Sequence, residues 1–382
     1  MSNKSAAEWD PRDPSVLHDQ REAYDRMREE CPVAFSDFLG WSVFRHGDIV
    51  GILDDPGAFS SRSRHLAIPN GMDPPEHTGY RELIEPFFGA DAITALEPEC
   101  RTIAAGLIEP LADRTGVDVI EALAVPLPLQ TICRFLGWPI ERWEHLRGWT
   151  HGNQLASFAR DRESSAALAR EFTGYVEDEI AARRLDKRVT SDDLMSRLMV
   201  AEVDGQPIGD EAIVSILRNW VAGQGTVAAG IGLLLYHLAS DAELQDRLRE
   251  SPERLTNTID EILRVDGPLV SNRRTTTSPT TIDGKSIPEG GQLTLMWIAA
   301  NRDPRAFAEP STIDIERDQA GNLLFGHGIH DCVGAPLARM QMRVALEELF
   351  NRTTAIVLDD PDAVERMVYP SNGIRKMSVT MH

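Results

Sequence analysis

One cysteine in a glycine-rich run constrains this chain more than any other feature. Cys332 lies in the segment Phe325–Gly334, which contains three glycines. Glycine permits backbone conformations with positive φ and a close approach to another group. The apolar pattern that follows predicts a mostly buried helix over Ala335–Phe350. The Cys332 thiol therefore stands just before a helix N-terminus, where backbone N–H groups and the helix dipole favour the thiolate.

A thiolate in a tight loop can serve several purposes, which the sequence helps to separate. A single cysteine is most often a small buried hydrophobic residue, but that use does not need a glycine-rich loop. A zinc site made from His327, His330 and Cys332 would follow no common ligand spacing and would lack a fourth ligand. A metal that takes one strong sulfur ligand fits better, and haem iron is the leading candidate.

The segment Phe325–Gly334 resembles the haem-binding signature of the cytochrome P-450 family. That signature is phenylalanine, glycine, a variable residue, glycine, a variable residue, histidine or arginine, a variable residue, cysteine, a variable residue and glycine. The resemblance implies that Cys332 is the axial ligand of haem b and that Phe325 packs against the haem near the sulfur. It also implies that His330 meets a haem propionate and that Gly334 belongs to the cofactor loop.

A second resemblance lies in the longest predicted helix, Glu211–Ser240, which would be about 45 Å long at 1.5 Å per residue. Four glycines fall within ten of its residues, although each costs about 1 kcal/mol relative to alanine inside a helix. Close packing against a neighbouring helix, or a flat macrocycle lying on the helix, would explain them. The family pattern here is alanine or glycine, glycine, a variable residue, an acid and threonine. By this resemblance Ala222 lies against the haem, and Thr226 helps to activate dioxygen and to deliver protons.

The chain departs from that pattern at the acid. Gly225 occupies its position, and the polar Gln224 has no titratable proton to donate. Proton delivery would then use Thr226 with water, or an acid from elsewhere in the fold. The candidate catalytic residues are Gln224, Gly225 and Thr226. The departure keeps a peroxide-driven peroxygenase or peroxidase open as an alternative. A non-catalytic haem sensor or carrier is also open, although the glycines and Thr226 argue against it.

Two cationic segments resemble the family's partners for the haem propionates. His77 and Arg81 stand four apart on one face of a predicted helix. The resemblance implies that both pair with the propionates, together with Arg274, because unpaired buried charge is costly. Arg273 is the alternative to Arg274, whose distance from the turn at Asp283–Gly284 fits the family better.

The pair Glu261 and Arg264 forms another motif. Residues three apart on a helix can pair, and in isolation such a pair would be an ordinary surface salt bridge. The resemblance implies instead a buried, structural pair that ties its helix to the region of Asn301–Pro304.

The segment Phe59–Met72 corresponds to the region that caps the distal pocket in the resembled family. It is short here, which predicts a small pocket and a small organic substrate. The stretch Arg64–Met72 also resembles bacterial members that act on small aromatic molecules, including aryl methyl ethers, so that hydroxylation and O-demethylation are the expected reactions. The candidate pocket walls, each of which could equally be plain core, are Ile68, Ala222, Leu269 and Val270.

Composition limits the class of protein and its partners. The chain has 382 residues, of which 42% are hydrophobic, and a net charge of -21. Such a charge argues against nucleic acids and anionic membranes as partners. Four scattered cysteines fit a reducing cytoplasm. Residues 1–13 have no signal-peptide pattern and are expected to be flexible, and the uncharged stretch Asn219–Tyr236 is interpreted as a core helix rather than a membrane span.

These patterns together predict a mainly α protein with a minor β region, in a single haem domain over residues 1–382. Strand signals cluster at Thr275–Ile287 and Leu293–Ile298. The resemblance implies the cytochrome P-450 fold, with haem between the long central helix and the cysteine-loop helix. Because no flavin or iron–sulfur segment follows that domain, electrons are expected from a ferredoxin or from a flavin or iron–sulfur reductase. Such a partner is expected to dock through exposed arginines such as Arg339 or Arg343.

Overall fold

The computed structural model describes residues 9–63, 65–159, 161–185 and 193–382. Most of the segment expected to be flexible, residues 1–13, therefore lies outside the described residues. The helices are α1 (Pro14–His18), α2 (Gln20–Glu30), α3 (His46–Leu53), α4 (Glu76–Ile84), α5 (Ala90–Ile108), α6 (Pro126–Leu136), α7 (Trp143–Ala159), α8 (Arg162–Leu185), α9 (Leu194–Met199), α10 (Gly209–Ser240), α11 (Ala242–Glu250), α12 (Leu255–Val265), α13 (Trp297–Asn301) and α14 (Ala335–Arg352).

The strands are short and contain fewer residues than the helices. They are β1 (Val33–Ser36), β2 (Gly40–Val43), β3 (Phe59–Ser60), β4 (Val117–Asp118), β5 (Glu202–Val203), β6 (Gln206–Pro207), β7 (Ser271–Thr276), β8 (Thr280–Ile282), β9 (Lys285–Ile287), β10 (Gln292–Met296), β11 (Ile356–Leu358), β12 (Glu365–Arg366), β13 (Ile374–Lys376) and β14 (Ser378–Met381). The predicted fold class, mainly α with a minor β region, is confirmed.

Local sequence explains where several elements begin and end. The Asp19 carboxylate caps α2 by accepting hydrogen bonds from the backbone N–H groups of the first turn. Helix α6 begins with Pro126, whose fixed φ suits a first turn, and ends at Gly137, which has a φ of 68°. Asp283 and Gly284 both have positive φ between β8 and β9, so the predicted turn is confirmed.

One compact unit comprises the described residues of Met1–Ser63, Glu253–Cys332 and Arg366–Gly373. Its five-stranded sheet has the order β1-β2-β10-β7-β3. Strand β10 runs antiparallel to β7 and parallel to β2, with Leu293 opposite Arg274. The apolar run expected as a strand over Leu293–Ile298 is wrong at its end, because the chain turns into the buried helix α13 at Trp297.

The core of this unit consists of two clusters of buried side chains. The first contains Tyr24, Phe44 and Val270, none of which has measurable exposure. The second lies around β2, α3 and β10 and includes Leu293 and Leu295. The predicted pocket wall Val270 packs into the first cluster and contributes to the core, which is the alternative noted for every predicted pocket residue; its place in a pocket stays a prediction.

The second unit comprises the described residues of Arg64–Pro252, Val333–Glu365 and Ile374–His382. Helix α10 runs through it and packs against α6, α7, α8 and α14, while α14 also packs along α5. Strands β11, β14 and β4 form its three-stranded sheet. Of the described helices, only α10 is long and apolar enough to cross a membrane, and most of its apolar stretch is buried inside the protein. That burial agrees with the interpretation of a core helix.

Candidate functional site

The cysteine loop is closed tightly by its own backbone. The Cys332 N–H donates to the carbonyl of Phe325 at 2.8 Å. Gly326 and Gly328 have φ of 79° and 74°, a region that favours glycine. A Cβ on Gly328 would also lie 2.8 Å from the Leu53 carbonyl oxygen. Two of the three glycines in the predicted motif are therefore required by the backbone.

The third glycine has a different purpose. Gly334 is the N-cap of α14 with a φ of -81°, so it does not use the positive φ that glycine permits. Its carbonyl accepts the N–H of Ala338 and opens the helix. The predicted helix after the loop is confirmed, since α14 spans Ala335–Arg352.

The four cysteines differ in their exposure to solvent and in the pKa of their thiols. Cys332 is exposed, whereas Cys31 is half-buried and the other two are buried. Burial raises the pKa of the Cys100 thiol to about 11 and that of the Cys133 thiol to about 12. Both stay protonated at neutral pH, and a thiol ligand must be deprotonated. An exposed cysteine in a tight loop before a helix fits a group that takes one thiolate ligand.

The zinc alternative finds no support. In the described part of the chain, no three side chains of the types His, Cys, Asp and Glu come together as metal ligands. His327, one of the three residues considered, instead places Nε2 2.8 Å from an Asp54 carboxylate oxygen. The single-cysteine site stays a prediction.

The choice between Arg273 and Arg274 is helped by the alternation of strand β7. The Arg274 side chain is 7% exposed, while Arg273 faces solvent. Arg274 Nη1 donates to the Arg273 carbonyl at 2.7 Å. Burial favours Arg274 as the residue that would face a buried anion.

Glu261 and Arg264 form a fully buried ion pair in helix α12. Arg264 Nε and Nη2 donate to the two Glu261 carboxylate oxygens at 2.8 and 2.9 Å. Arg264 Nη1 also donates to the Asn301 carbonyl at 2.6 Å. The predicted burial and the predicted tie to the segment beginning at Asn301 are confirmed.

The third member of this cluster is Arg317, which is not among the residues predicted from the sequence. Arg317 Nε donates to a Glu261 oxygen at 2.9 Å, and the Asp314 N–H donates to the same oxygen at 3.0 Å. Burial alone would raise the pKa of Glu261, but hydrogen bonds, the largest from Arg264, hold it below its usual value. One signal could have predicted a further donor: a buried glutamate carboxylate has more acceptor sites than one arginine fills, so it needs other hydrogen-bond donors.

In the second unit, α4 carries the predicted pair His77 and Arg81. His77 is 3% exposed, and its N–H donates to the Asp73 carbonyl at 3.0 Å. Burial, and then the nearby Arg81 charge, hold the pKa of His77 below its usual value. Arg81 Nε donates to Glu85 at 2.7 Å. Both residues lie on one helix face, as expected.

Helix α10 places Gln224 inside the protein and leaves Thr226 half-buried. Gln224 Nε2 donates to the Trp220 carbonyl at 3.1 Å, and its Oε1 accepts from Gln341 Nε2 at 3.3 Å. This amide pair joins α10 to α14. Gln341 is not among the residues predicted from the sequence, although a polar residue on the apolar side of a buried helix was a usable signal.

The glycines of α10 have different explanations. A Cβ on Gly232 would lie 3.0 Å from the Ile120 side chain, so close packing explains that glycine. A Cβ on Gly225 would lie 3.0 Å from Gln154 Nε2, so an amide from α7 lies beside the position of the missing acid. A Cβ on Gly223 would meet no described heavy atom within 4 Å. Gly223 therefore presents a flat, open helix surface of the kind that a macrocycle requires.

The other three predicted pocket residues differ in how far they are buried. Ile68 is 1% exposed and hydrogen-bonded to α10 through its backbone, and Ala222 lies half-buried on that helix. Leu269 is 39% exposed and its backbone bridges to Ser371. Ile68 and Ala222 thus remain together as candidates in the second unit.

The prediction that Arg343 is an exposed arginine available for docking is wrong. Its guanidinium is half-buried and donates to Glu97 at 2.6 Å and to Glu347 at 2.9 Å. Arg101 joins the same network through Glu347 and Glu348. These contacts tie α14 to α5, whereas Arg339 remains a half-buried candidate.

Comparison with known proteins identifies the family. The family model described as Cytochrome P450 matches residues 155–368. Erythromycin C-12 hydroxylase of Saccharopolyspora erythraea is 34% identical over 88% of this chain and 87% of that protein. Linalool 8-monooxygenase of Pseudomonas putida is 30% identical over 96% of each.

Solved structures agree with the sequence matches. A mutant of P450 EryK in complex with erythromycin B superimposes with a TM-score of 0.86 and 31% identity, over 95% of this chain and 96% of the other. CalO2 gives a TM-score of 0.87 at 27% identity over 99% of each chain. The fold and the relatives define a monooxygenase of the oxidoreductase class, which uses haem. The chain belongs to the cytochrome P450 family.

Proposed function

We propose that this protein inserts one oxygen atom of O2 into a C–H bond of a small organic substrate, with haem b bound through the Cys332 thiolate. The observation that carries the proposal is the cysteine loop. Its backbone is closed by the Cys332 N–H to Phe325 bond, and its glycines allow that conformation. Gly334 and Phe325 would complete the cradle around the cofactor.

Four basic side chains would hold the two propionates of the haem. His77 and Arg81 are supplied by α4, Arg274 by β7, and His330 by the cysteine loop. Their donors suit carboxylates, and charge-assisted hydrogen bonds are roughly twice as strong as neutral ones. Because Arg274 and His77 are buried, a propionate beside either would be shielded from solvent.

Haem supplies the oxidative chemistry when bound, and a thiolate ligand favours cleavage of the O–O bond. The protein supplies orientation and protons. The Thr226 hydroxyl is the hydroxyl group nearest in sequence to Gly223 on α10, and Gln224 is fixed by its bond from Gln341. Neither side chain ionises at neutral pH, so Thr226 would pass protons on from water.

A serine at position 332 tests the ligand. The reduced wild-type protein with carbon monoxide is expected to show the red-shifted absorption of a thiolate-bound haem, and Cys332→Ser is expected to lose it. Cys31→Ser is the matched control, because Cys31 is half-buried and far along the chain. An unchanged spectrum in Cys332→Ser would exclude this cysteine as the ligand.

Peroxide-driven turnover is the second candidate, and one observation favours it. The position that holds an acid in the family pattern is Gly225, and the group beside it is the Gln154 amide. Peroxide brings its own protons and electrons, so it reduces the need for an acid. Product formation with hydrogen peroxide alone, compared with reductant and O2, separates the two reactions: a monooxygenase is faster with the second mixture.

The remaining parts of the proposal concern substrate, partners and place. Candidate substrates include small aromatic molecules, for which hydroxylation or O-demethylation is the expected reaction. Electrons would come from a ferredoxin or from a flavin or iron–sulfur reductase, and the protein would act in the cytoplasm. The burial of most of the apolar stretch of α10 and the net charge of -21 support a location away from anionic membranes.

A further inference from the structure

Arg218 is a half-buried cation on α10 without a carboxylate partner among the described residues. Its guanidinium donates to the carbonyl of Leu66. Burial lowers the pKa of Arg218, and no acidic side chain of the described chain offsets that effect. Arginine carries five N–H donors, and among the described residues the Leu66 carbonyl is the one acceptor that the Arg218 guanidinium contacts. A half-buried charge with one neutral acceptor is costly unless an anion joins it.

The surroundings of Arg218 place it at the cap of the candidate pocket. The Ile68 N–H donates to Ser215 Oγ at 3.0 Å, and Asn219 Nδ2 donates to the Ile68 carbonyl at 2.9 Å. Ser215 Oγ also donates to the Leu66 carbonyl at 3.1 Å. Three neighbouring side chains of α10 therefore hold the cap segment, defined as residues 66–68, against the first half of that helix.

The side of α10 that carries Arg218 also carries the residues proposed for chemistry. Arg218, Ala222 and Thr226 follow one another at intervals of four residues, which places them along one side of the helix. About 12 Å separates the first from the last at 1.5 Å per residue. Trp220 instead packs edge-on against Phe88 in an aromatic cluster. The small Ala222 side chain leaves the space between the cation and the hydroxyl unfilled by α10 itself.

We infer that Arg218 binds a carboxylate of the substrate, so that the proposed monooxygenase, on which this inference rests, acts on small organic acids. The planar guanidinium fork matches a carboxylate bidentately, and one cation balances one monoanion. A chain with a net charge of -21 would otherwise repel an anion. With the acid held at Arg218, the carbon that reacts lies at the opposite end of a molecule about one ring or one short chain long.

Paired ligands and paired variants test the inference in the haem-loaded, full-length protein. The probes are 4-methoxybenzoate and octanoate, each compared with its neutral primary amide. Their affinities are measured by the shift of haem absorption and by calorimetry. The variants are Arg218→Gln, which keeps a donor for Leu66, and Arg218→Lys, which keeps the charge. Arg247→Gln is the control, because Arg247 is exposed on α11.

The expected result is a selective loss. At least one acid should bind wild type about 10-fold more tightly than its amide, and Arg218→Gln should weaken that acid by about 10- to 100-fold. The affinities of the amides should change by less than about 2-fold, because a neutral amide gains little net free energy from a hydrogen bond to the guanidinium. Arg218→Lys should retain part of the preference for the acid, and Arg247→Gln all of it.

Two results would overturn the inference. One is that neither acid binds wild type more tightly than its amide. The other is that Arg218→Gln weakens acids and amides alike, which would assign Arg218 to holding the cap segment through Leu66. The carbon monoxide spectrum of each protein keeps the two proposals apart: if it shows thiolate-bound haem while the acids show no preference, the inference fails and the proposed function stands.

Discussion

Replacing Glu261 with glutamine is expected to destabilise the protein strongly. The carboxylate accepts both contacts from Arg264, one from Arg317, one from the Asp314 N–H and one from Gln319. Glutamine keeps one acceptor oxygen and turns an N–H group toward these donors. Removing one partner of a buried ion pair costs about 3–5 kcal/mol, because the other charge stays buried and unpaired. Two arginines are affected here, and Arg264 has no exposed side-chain surface.

Thermal unfolding followed by circular dichroism converts that cost into a measurement. With an unfolding entropy of about 2.1 cal/mol/K per residue over 382 residues, 3–5 kcal/mol corresponds to a fall in Tm of roughly 4–6 °C. Glu253→Gln is the control, since Glu253 is exposed and its contact with Arg254 is weak. If the two variants lower Tm equally, the reasoning about the buried cluster is wrong.

The same variant carries a pH prediction. The folded-state pKa of Glu261 lies below its usual value. Its stabilisation is therefore present above the unfolded pKa of about 4.3 and is lost as the pH falls through the folded pKa. Glu261→Gln should lose this dependence, so its Tm should fall less steeply than that of wild type as the solution is acidified below that unfolded value. Parallel curves would show that Glu261 does not titrate with unfolding.

Two further predictions concern glycines. Gly328→Ala is expected to lower the free energy of unfolding by more than about 2 kcal/mol and to reduce haem retention, because φ is 74° and the new Cβ would lie 2.8 Å from the Leu53 carbonyl oxygen. The control is Gly47→Ala in α3, which should be neutral or stabilising because its Cβ would meet nothing within 4 Å. Equal effects of the two variants would refute the role of the loop. Gly225→Asp, whose Cβ would lie 3.0 Å from Gln154 Nε2, should raise the product formed per reductant consumed in the reaction with O2, and should raise the product formed per peroxide consumed by less. No change in the first ratio would show that an acid there has no effect on proton delivery.

The features that the sequence predicted correctly depend on residues close together in the chain. The helix after the cysteine loop and the turn at Asp283–Gly284 follow from local spacing and from residues that tolerate positive φ. The arrangement of His77 and Arg81 on one face of α4 follows from helical periodicity alone. The burial of Arg274 rather than Arg273 depends on strand alternation, which fixes that two neighbours face opposite ways but not which one faces inward.

What the sequence could not predict depends on long-range packing. Arg317 meets Glu261 across 56 positions, and Gln341 meets Gln224 across 117. Val270 was a candidate pocket wall, but its burial is decided by the cluster that forms around it. An apolar side chain has the same local signature in a core and in a cavity wall, so only the assembled fold separates the two.

The amide pair between α10 and α14 has a consequence for how activity should respond to acidity. Side-chain amides neither take up nor release protons while the protein stays folded. The hydrogen-bonded amide pair of Gln224 and Gln341 therefore stays uncharged from mildly acidic to mildly alkaline solution. Any bell-shaped dependence of turnover on pH must then originate in the substrate, in the electron donor or in other side chains, and not in this pair.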